Sequence, residues 1–430
     1  MTADLNVPIL SSPGSVLSPN RVRLALAALM LGGFAIGCTE FVAMGLLPNI
    51  AADLLPGLYA HSPAAANAST GWMITAYAAG VVVGAPTIAA LAASWPRKRL
   101  LLTLLCAFVV GTLASAALPS VGWVICARFA AGLPHGAYFG IATLVAGSLL
   151  GPSKRGRGIA IVISGLSVAN IVGVPVITWL GQIAGWRVAY LVVAALFAAT
   201  FVAVWWAVPW QPGDAGATAR RELAAFGRGQ VWFTIATVTF GFGGFFAVYS
   251  YVAPMATDVS GLPAGAVPFV LMTFGIGMTL GNIIGGRLVD WSVRRTLYIF
   301  FPALIVSFVL FALTARYPVG LFGGFFLIAM TASVLSPVMQ ARLMDTAHES
   351  KAIAASLNHS AFNISNSLGA MAGGYVIATG QGYIAPIWVG AGLTVIGLIL
   401  AVLSFGLDRR WIRRGIHVPY ATGAISTVDV

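Results

Sequence analysis

Long apolar runs separated by short polar stretches dominate the chain from residue 23 to residue 407. A helix needs about 20 predominantly apolar residues to cross a bilayer. Runs of that kind lie at 23–48, 70–92, 100–118, 121–146, 158–182, 187–208, 231–254, 266–288, 296–314, 318–340, 353–377 and 385–407. They divide into six plus six around the longest polar insertion, residues 209–230. The pattern predicts an all-α membrane protein of twelve transmembrane helices in two pseudo-symmetric six-helix bundles. Its parts are an N-terminal segment at 1–22, bundles at 23–208 and 231–407, a linker at 209–230 and a tail at 408–430. Arg21 and Arg23 precede the first run in the manner of a signal peptide, but the runs that follow mark it as a retained span.

Composition sharpens this picture. Only 8% of the 430 residues are charged, against about 25% in soluble domains. The net charge of +12 would point to nucleic acid in a soluble chain, but its placement says otherwise. Twenty of the 23 Lys and Arg residues fall in the N-terminal segment, alternate loops, the linker and the tail. Arg187 and Arg316 lie in the other loops, and Arg128 lies within a span. The positive-inside rule puts both termini in the cytoplasm. The basic residues then meet anionic lipid, and no nucleic-acid partner is needed. Cys38, Cys106 and Cys126 fall in apolar runs, which predicts reduced thiols and no disulfide framework.

The two halves carry a repeat. Gly80-Val81-Val82-Val83-Gly84 leads to Ala93, Arg97-Lys98 and Leu100. A shift of 197 residues gives Gly277-Met278-Thr279-Leu280-Gly281, Asp290, Arg294-Arg295 and Leu297. Parallel six-span repeats with a site between them are a transporter architecture.

Four stretches carry a family resemblance. They are Thr39-Glu40-Phe41-Val42-Ala43-Met44-Gly45-Leu46-Leu47-Pro48; Arg128 to Gly132 with His135-Gly136; Gly165 to Asn170 with Gly173-Val174-Pro175; and Gly286-Arg287-Leu288-Val289-Asp290 with Arg294-Arg295. In this order they resemble the first-helix, fourth-helix, fifth-helix and loop motifs of the major facilitator superfamily. The similarity is to its bacterial drug:proton antiporters, the group of arabinose-efflux-like permeases and chloramphenicol exporters. The resemblance implies export of a small lipophilic compound in exchange for protons, by alternating access. It implies a monomer in the bacterial inner membrane, driven by the proton gradient without a cofactor. It gives conformational roles to Gly286, Asp290, Arg294, Arg295, Arg97, Lys98, Gly165, Asn170, Gly173 and Pro175. The first-half loop departs from the motif at Ala89 and Ala93, where Gly and Asp are expected.

The candidate chemistry centres on Glu40, the only one of eleven acidic residues placed well inside a span. A charged group in hydrocarbon costs about 2.5 kcal/mol or more, so Glu40 reads first as functional and second as a structural ion-pair member. It lies eight residues before Pro48, about 12 Å inside the span's end. Arg128 lies nine residues after Pro119, about 13 Å inside the same face, so the two reach one level. Burial favours a neutral carboxyl group and a nearby guanidinium favours a charged one, so movement between states could load and unload a proton. His135, seven residues beyond Arg128 on the same helical face, is a candidate relay, and also a plausible packing histidine, as is His359.

Phe240, Phe245, Phe246 and Tyr249 crowd the seventh span around glycines, a wall suited to flat lipophilic cargo. Helix packing or lipid contact is the plainer reading of such residues. By family analogy Tyr77, Met330 and Ser333 are weaker substrate-contact candidates. Asn170, Asn363 and Asn366 read as interhelical glue. Asn67-Ala68-Ser69 matches a glycosylation acceptor. His348-Glu349-Ser350 lacks the second histidine of a metalloprotease motif, and no metal site, nucleophile elbow or phosphate loop accompanies it. An intramembrane enzyme is therefore disfavoured. A sugar, nucleoside or other metabolite exporter and an uncoupled facilitator remain alternatives.

Overall fold

The computed structural model describes residues 18–92, 94–151, 154–213, 229–347 and 351–413. Ala93, most of the linker and the outermost parts of both terminal segments therefore lie outside the described residues, as do the side chains of Ala89 and Asp290. Among the described residues there is no strand. The first half consists of α1 (Pro19–Gly45), α2 (Leu47–Leu54), α3 (Pro56–His61), α4 (Pro63–Ala92), α5 (Arg97–Ala117), α6 (Val121–Gly132), α7 (Pro134–Leu150), α8 (Arg155–Val168), α9 (Val174–Ala184) and α10 (Trp186–Ala207). The second half consists of α11 (Gly229–Tyr249), α12 (Val267–Trp291), α13 (Val293–Thr314), α14 (Pro318–Ala347), α15 (Lys351–Ala378) and α16 (Ala385–Arg413).

Among the described residues, eleven helical stretches are long and apolar enough to span a bilayer. Here α6 and α7 act as one span, broken at Leu133-Pro134, and α8 and α9 as another. The helix α15 is 28 residues long, but Asn358, His359, Ser360, Asn363, Ser365 and Asn366 dilute its apolar character. It supplies the remaining span, the eleventh in chain order. It can carry these groups because it packs between the halves, against α4 and α11.

The neighbour pattern repeats. α1 packs on α8 and α10, α4 on α6, and α5 on α6 and α10. In the second half α11 packs on α15 and α16, α12 on α14, and α13 on α14 and α16. The halves meet where α15 lies along α4 and where α12 lies along α9. The repeated glycines explain part of this correspondence. A Cβ on Gly80 or Gly84 would overlap the carbonyl oxygens of Phe129 or Leu133. On Gly277 or Gly281 it would press on those of Phe326 or Met330. Each glycine and its carbonyl partner shift together by the 197-residue offset. Without a side chain at these points, backbones approach closely.

Several boundaries differ from expectation. α1 stops at Gly45, where the chain bends into α2, so Glu40 lies about 7.5 Å from the helix end rather than 12 Å. α4 starts at Pro63 and takes in Asn67, which is 1% exposed and donates to the Tyr383 hydroxyl across the halves at 2.7 Å. That burial removes it as a glycosylation acceptor. α16 runs on to Arg413, past the expected start of the tail. Between α8 and α9, residues Ala169–Gly173 form one π turn. Pro175 lacks the N–H that a regular helix requires, and Val174 N–H bonds Ala169 O instead.

At the face away from most basic residues, Asp53 Oδ2 accepts from Trp186 Nε1 at 3.0 Å and pairs with Arg187. The Arg187 guanidinium holds the Asp53 carboxyl below the usual carboxylate range.

Candidate functional site

Thr39 and Glu40 follow a helix segment with little side-chain bulk. A Cβ on Gly165 or Gly173 would collide with α1 at Met30 O, Phe34 and Cys38 Sγ. These glycines therefore let the fifth span lie against α1 just before Glu40. Arg128 reaches α1 from α6. Its Nη1 donates to Thr39 Oγ1 at 3.0 Å and its Nη2 to Thr39 O at 2.8 Å. The guanidinium lies 4.2 Å from the Tyr77 ring centre and 5.5 Å from that of Tyr190. Arg128 is wholly buried, and its Nε has no partner.

Glu40 is 6% exposed. No ion pair joins it to Arg128: the carboxylate and guanidinium approach one level, but the guanidinium bonds the preceding residue. This revises the expectation of a neutralising pair. A carboxylate at the turn beside Thr39 projects to another side of α1. There Glu40 Oε1 accepts from Asn366 Nδ2 of α15 at 3.4 Å, a bond between halves. One residue on, Ser367 Oγ donates to Thr75 O of α4 at 3.1 Å.

A second polar layer lies one i, i+7 step, about 10 Å, toward the basic face. His135 is seven residues beyond Arg128, and His359 seven before Asn366. Their ring centres are 6.4 Å apart across the halves. His135 Nδ1 and the Tyr77 hydroxyl share a hydrogen bond of 3.1 Å. Phe139 stacks on His359 at 5.3 Å. Tyr77 thus touches both layers.

The aromatic wall of α11 closes the other side. Tyr249 stacks on Phe274 at 4.0 Å and meets Phe41 at 5.4 Å. Phe245 contacts Phe246, Tyr249 and Phe274. Phe41 enters the sequence reading only as part of the first-helix motif and Phe274 not at all, since a lone phenylalanine in an apolar run carries no distinguishing pattern. Phe240 is only half-buried. Ser333 packs its Cβ toward Gly281, and Met330 lends that contact its carbonyl, so both serve the α12–α14 seam within one half.

The motif residues at the basic face form local braces. Arg97 Nη1 donates to Gln211 Oε1 at 3.4 Å, and Gln211 Nε2 to Ser148 Oγ at 2.9 Å, tying α5, α7 and the end of α10. Arg295 lies over Trp291 at 5.8 Å. Lys98 and Arg294 are partly buried and Gly286 is exposed. Arg342, assigned from sequence to a basic loop, is instead buried on α14, donating to Ser404 Oγ at 3.1 Å beneath Phe405. Asn170 Nδ2 donates to Leu166 O at 2.9 Å, and its backbone carbonyl abuts Gly275 of the other half.

The sequence profile of the Major Facilitator Superfamily matches residues 29–317 and, again, 261–422. The chain belongs to the Major Facilitator Superfamily. It is 36% identical over 386 residues to the inner membrane transport protein YdhP of Escherichia coli (strain K12), covering 89% of this chain and 96% of that protein. It is 30% identical to the chloramphenicol resistance protein of Streptomyces lividans, covering 88% and 95%. In fold it resembles the crystal structure of a bacterial homolog of the human lysosomal transporter Spinster. The TM-score is 0.66, the identity 16%, and the coverage 92% of this chain and 98% of that one. As a Major Facilitator Superfamily member the protein is a multi-pass membrane transporter rather than an enzyme. The layers around Glu40 and His135 therefore lie where the two halves of a transporter meet.

Proposed function

We propose that this transporter exports a small lipophilic compound in exchange for protons, with Glu40 as the exchanged-proton site. The observation that carries the reading is the position of Glu40: a buried carboxylate with no ion-pair partner among the described residues, bonded across the seam between the halves. Such a group can take up a proton or a cargo donor, and relative motion of the halves changes its surroundings. Competition between proton and cargo for one carboxylate is sufficient for antiport. Arg128 fixes the α1 backbone beside it, and Tyr77 with His135 offers a hydrogen-bonded route toward the basic face. The aromatic wall of Phe245, Phe246 and Tyr249, joined by Phe41 and Phe274, suits a flat apolar cargo. The relative named for chloramphenicol resistance supports a drug-like cargo, and the one named for the inner membrane supports that location. The charge asymmetry supports cytoplasmic termini. A hydroxyl-rich cargo such as a sugar is the second reading, favoured by the unpartnered amide oxygens of Asn363 and Asn366.

The test is proton release on cargo addition. Purified protein in weakly buffered detergent is challenged with phenicols, quaternary ammonium dyes, nucleosides and sugars. Release in wild type and none in Glu40→Gln is expected. Binding without release in wild type overturns the exchange reading in favour of an uncoupled facilitator.

A further inference from the structure

Three asparagines in the fifth and eleventh spans make a comparison that separates one of them. Asn170 Nδ2 donates to Leu166 O at 2.9 Å, and Asn363 Nδ2 to His359 O at 3.0 Å. Both place their Nδ2 on the carbonyl four residues back in their own helix and leave a buried Oδ1 without a partner. Asn366 does not follow them with its Nδ2, which leaves α15 and donates to Glu40 in the other half. Its Oδ1, like theirs, is buried without a partner, and the residue is 1% exposed. The charged and titratable groups that face Glu40 from the other packed elements are Arg128 of α6, Tyr77 of α4 and Tyr249 of α11. His135 and His359 lie one layer away.

We infer that Asn366 is the positioning residue through which the second half senses whether Glu40 carries a proton. The inference rests on the proton-exchange reading of Glu40. An amide has a donor end and an acceptor end, and a carboxyl group changes from acceptor to donor when protonated. With Glu40 ionised, Nδ2 donates to it and Oδ1 is left over, as observed. With Glu40 protonated, a half-turn of the amide lets Oδ1 accept the acid O–H. Nδ2 is then free for the Phe362 carbonyl, the same own-helix contact that Asn170 and Asn363 make. The N–H bond to the ionised carboxylate is charge-assisted and the stronger of the two, while the turned amide exchanges it for neutral bonds, so the bond across the seam is weaker with the proton aboard. Loss of the proton leaves the stronger, charge-assisted bond holding α15 to α1, and protonation loosens it, which links exchange at one carboxylate to motion between halves. Neither a serine nor a leucine here could turn in this way with the same reach.

The experiment uses purified full-length protein in detergent, with melting temperature followed from pH 5 to pH 9. Wild type, Asn366→Leu, Glu40→Gln and the double variant are compared. Wild type is expected to show a pH-dependent step that Glu40→Gln removes. Asn366→Leu is expected to move the midpoint of that step by about one pH unit, the shift given by one hydrogen bond of ordinary strength. In the Glu40→Gln background the leucine is expected to change the melting temperature equally at every pH. A step that Glu40→Gln abolishes but Asn366→Leu leaves at the wild-type midpoint overturns this inference and leaves the proton-exchange reading intact. A step that survives Glu40→Gln overturns both. If the leucine variant does not insert, Asn366→Ala carries the same comparison.

Discussion

The same place in the two halves holds opposite chemistry. In the first half the Arg128 guanidinium lies 4.2 Å from the Tyr77 ring centre. Shifted by the 197-residue offset, these positions become Phe325 and Phe274, whose rings meet edge to face at 5.9 Å. The backbones around both pairs pack alike, through Gly80 and Gly84 against one helix and Gly277 and Gly281 against its counterpart. His135 corresponds in the same way to Ala332, which is fully buried. The scaffold is shared, while at these matched positions the first bundle holds ionisable groups and the second holds aromatic rings and alanine. A transporter built this way needs no charge at the matching place in the second half to react to one in the first. Amides such as Asn366 can meet the carboxylate at the seam without burying a second ion.

Exchanging the chemistry is the strongest way to break this comparison. Phe325→Arg places a cation among Phe274 and Phe311 with no acceptor equivalent to Thr39. A cost of about 3–5 kcal/mol is expected, seen as loss of folded protein in size-exclusion chromatography. The reciprocal Arg128→Phe should fold, since it copies the second half, while losing transport by about 10²-fold because the α1 backbone beside Glu40 is no longer held. Equal damage to folding by both substitutions would mean that the two cores are not comparable.

The shared scaffold gives the next prediction. Gly84→Leu and Gly281→Leu should each cost about 1–3 kcal/mol, by overpacking against a backbone carbonyl, with matching drops in melting temperature. A large difference between them would show that the seam is not used equally.

Smaller effects sharpen the contrast. Tyr77→Phe removes the hydrogen bond to His135 but keeps the ring under Arg128. A loss of about 1 kcal/mol in denaturant unfolding is expected, with a changed pH profile of transport. At the face opposite the braced basic loops, Asp53→Asn should cost less than about 1 kcal/mol, because the pair with Arg187 is half exposed. Asp53 is held below the ordinary carboxylate value, so its contribution is fully present above that value and is lost as pH falls through the lower folded one. Melting temperatures of wild type and Asp53→Asn should therefore converge on strong acidification.

Length, apolarity and charge placement determined the spans, the division into halves and the scarcity that marks Glu40 and Arg128. These are properties of the chain against its solvent: lipid rejects charge and unsatisfied backbone wherever a segment packs. The repeat was legible for a similar reason, because a glycine needed for close approach cannot be exchanged freely for a larger residue. Contacts between distant side chains were decided only by tertiary structure. Arg128 binds Thr39 rather than Glu40, the oriented partner of Glu40 is an asparagine 326 residues away, and Asn67 is buried on Tyr383. Arg342 lies on α14, which runs past the apolar stretch that marks the span in the sequence. Helix rotation and crossing set these pairings, and a change of one residue turns a side chain by about 100°. A pattern of residue types can place a charge at a depth in the membrane; only the packed helices choose the face it turns to and the group it meets.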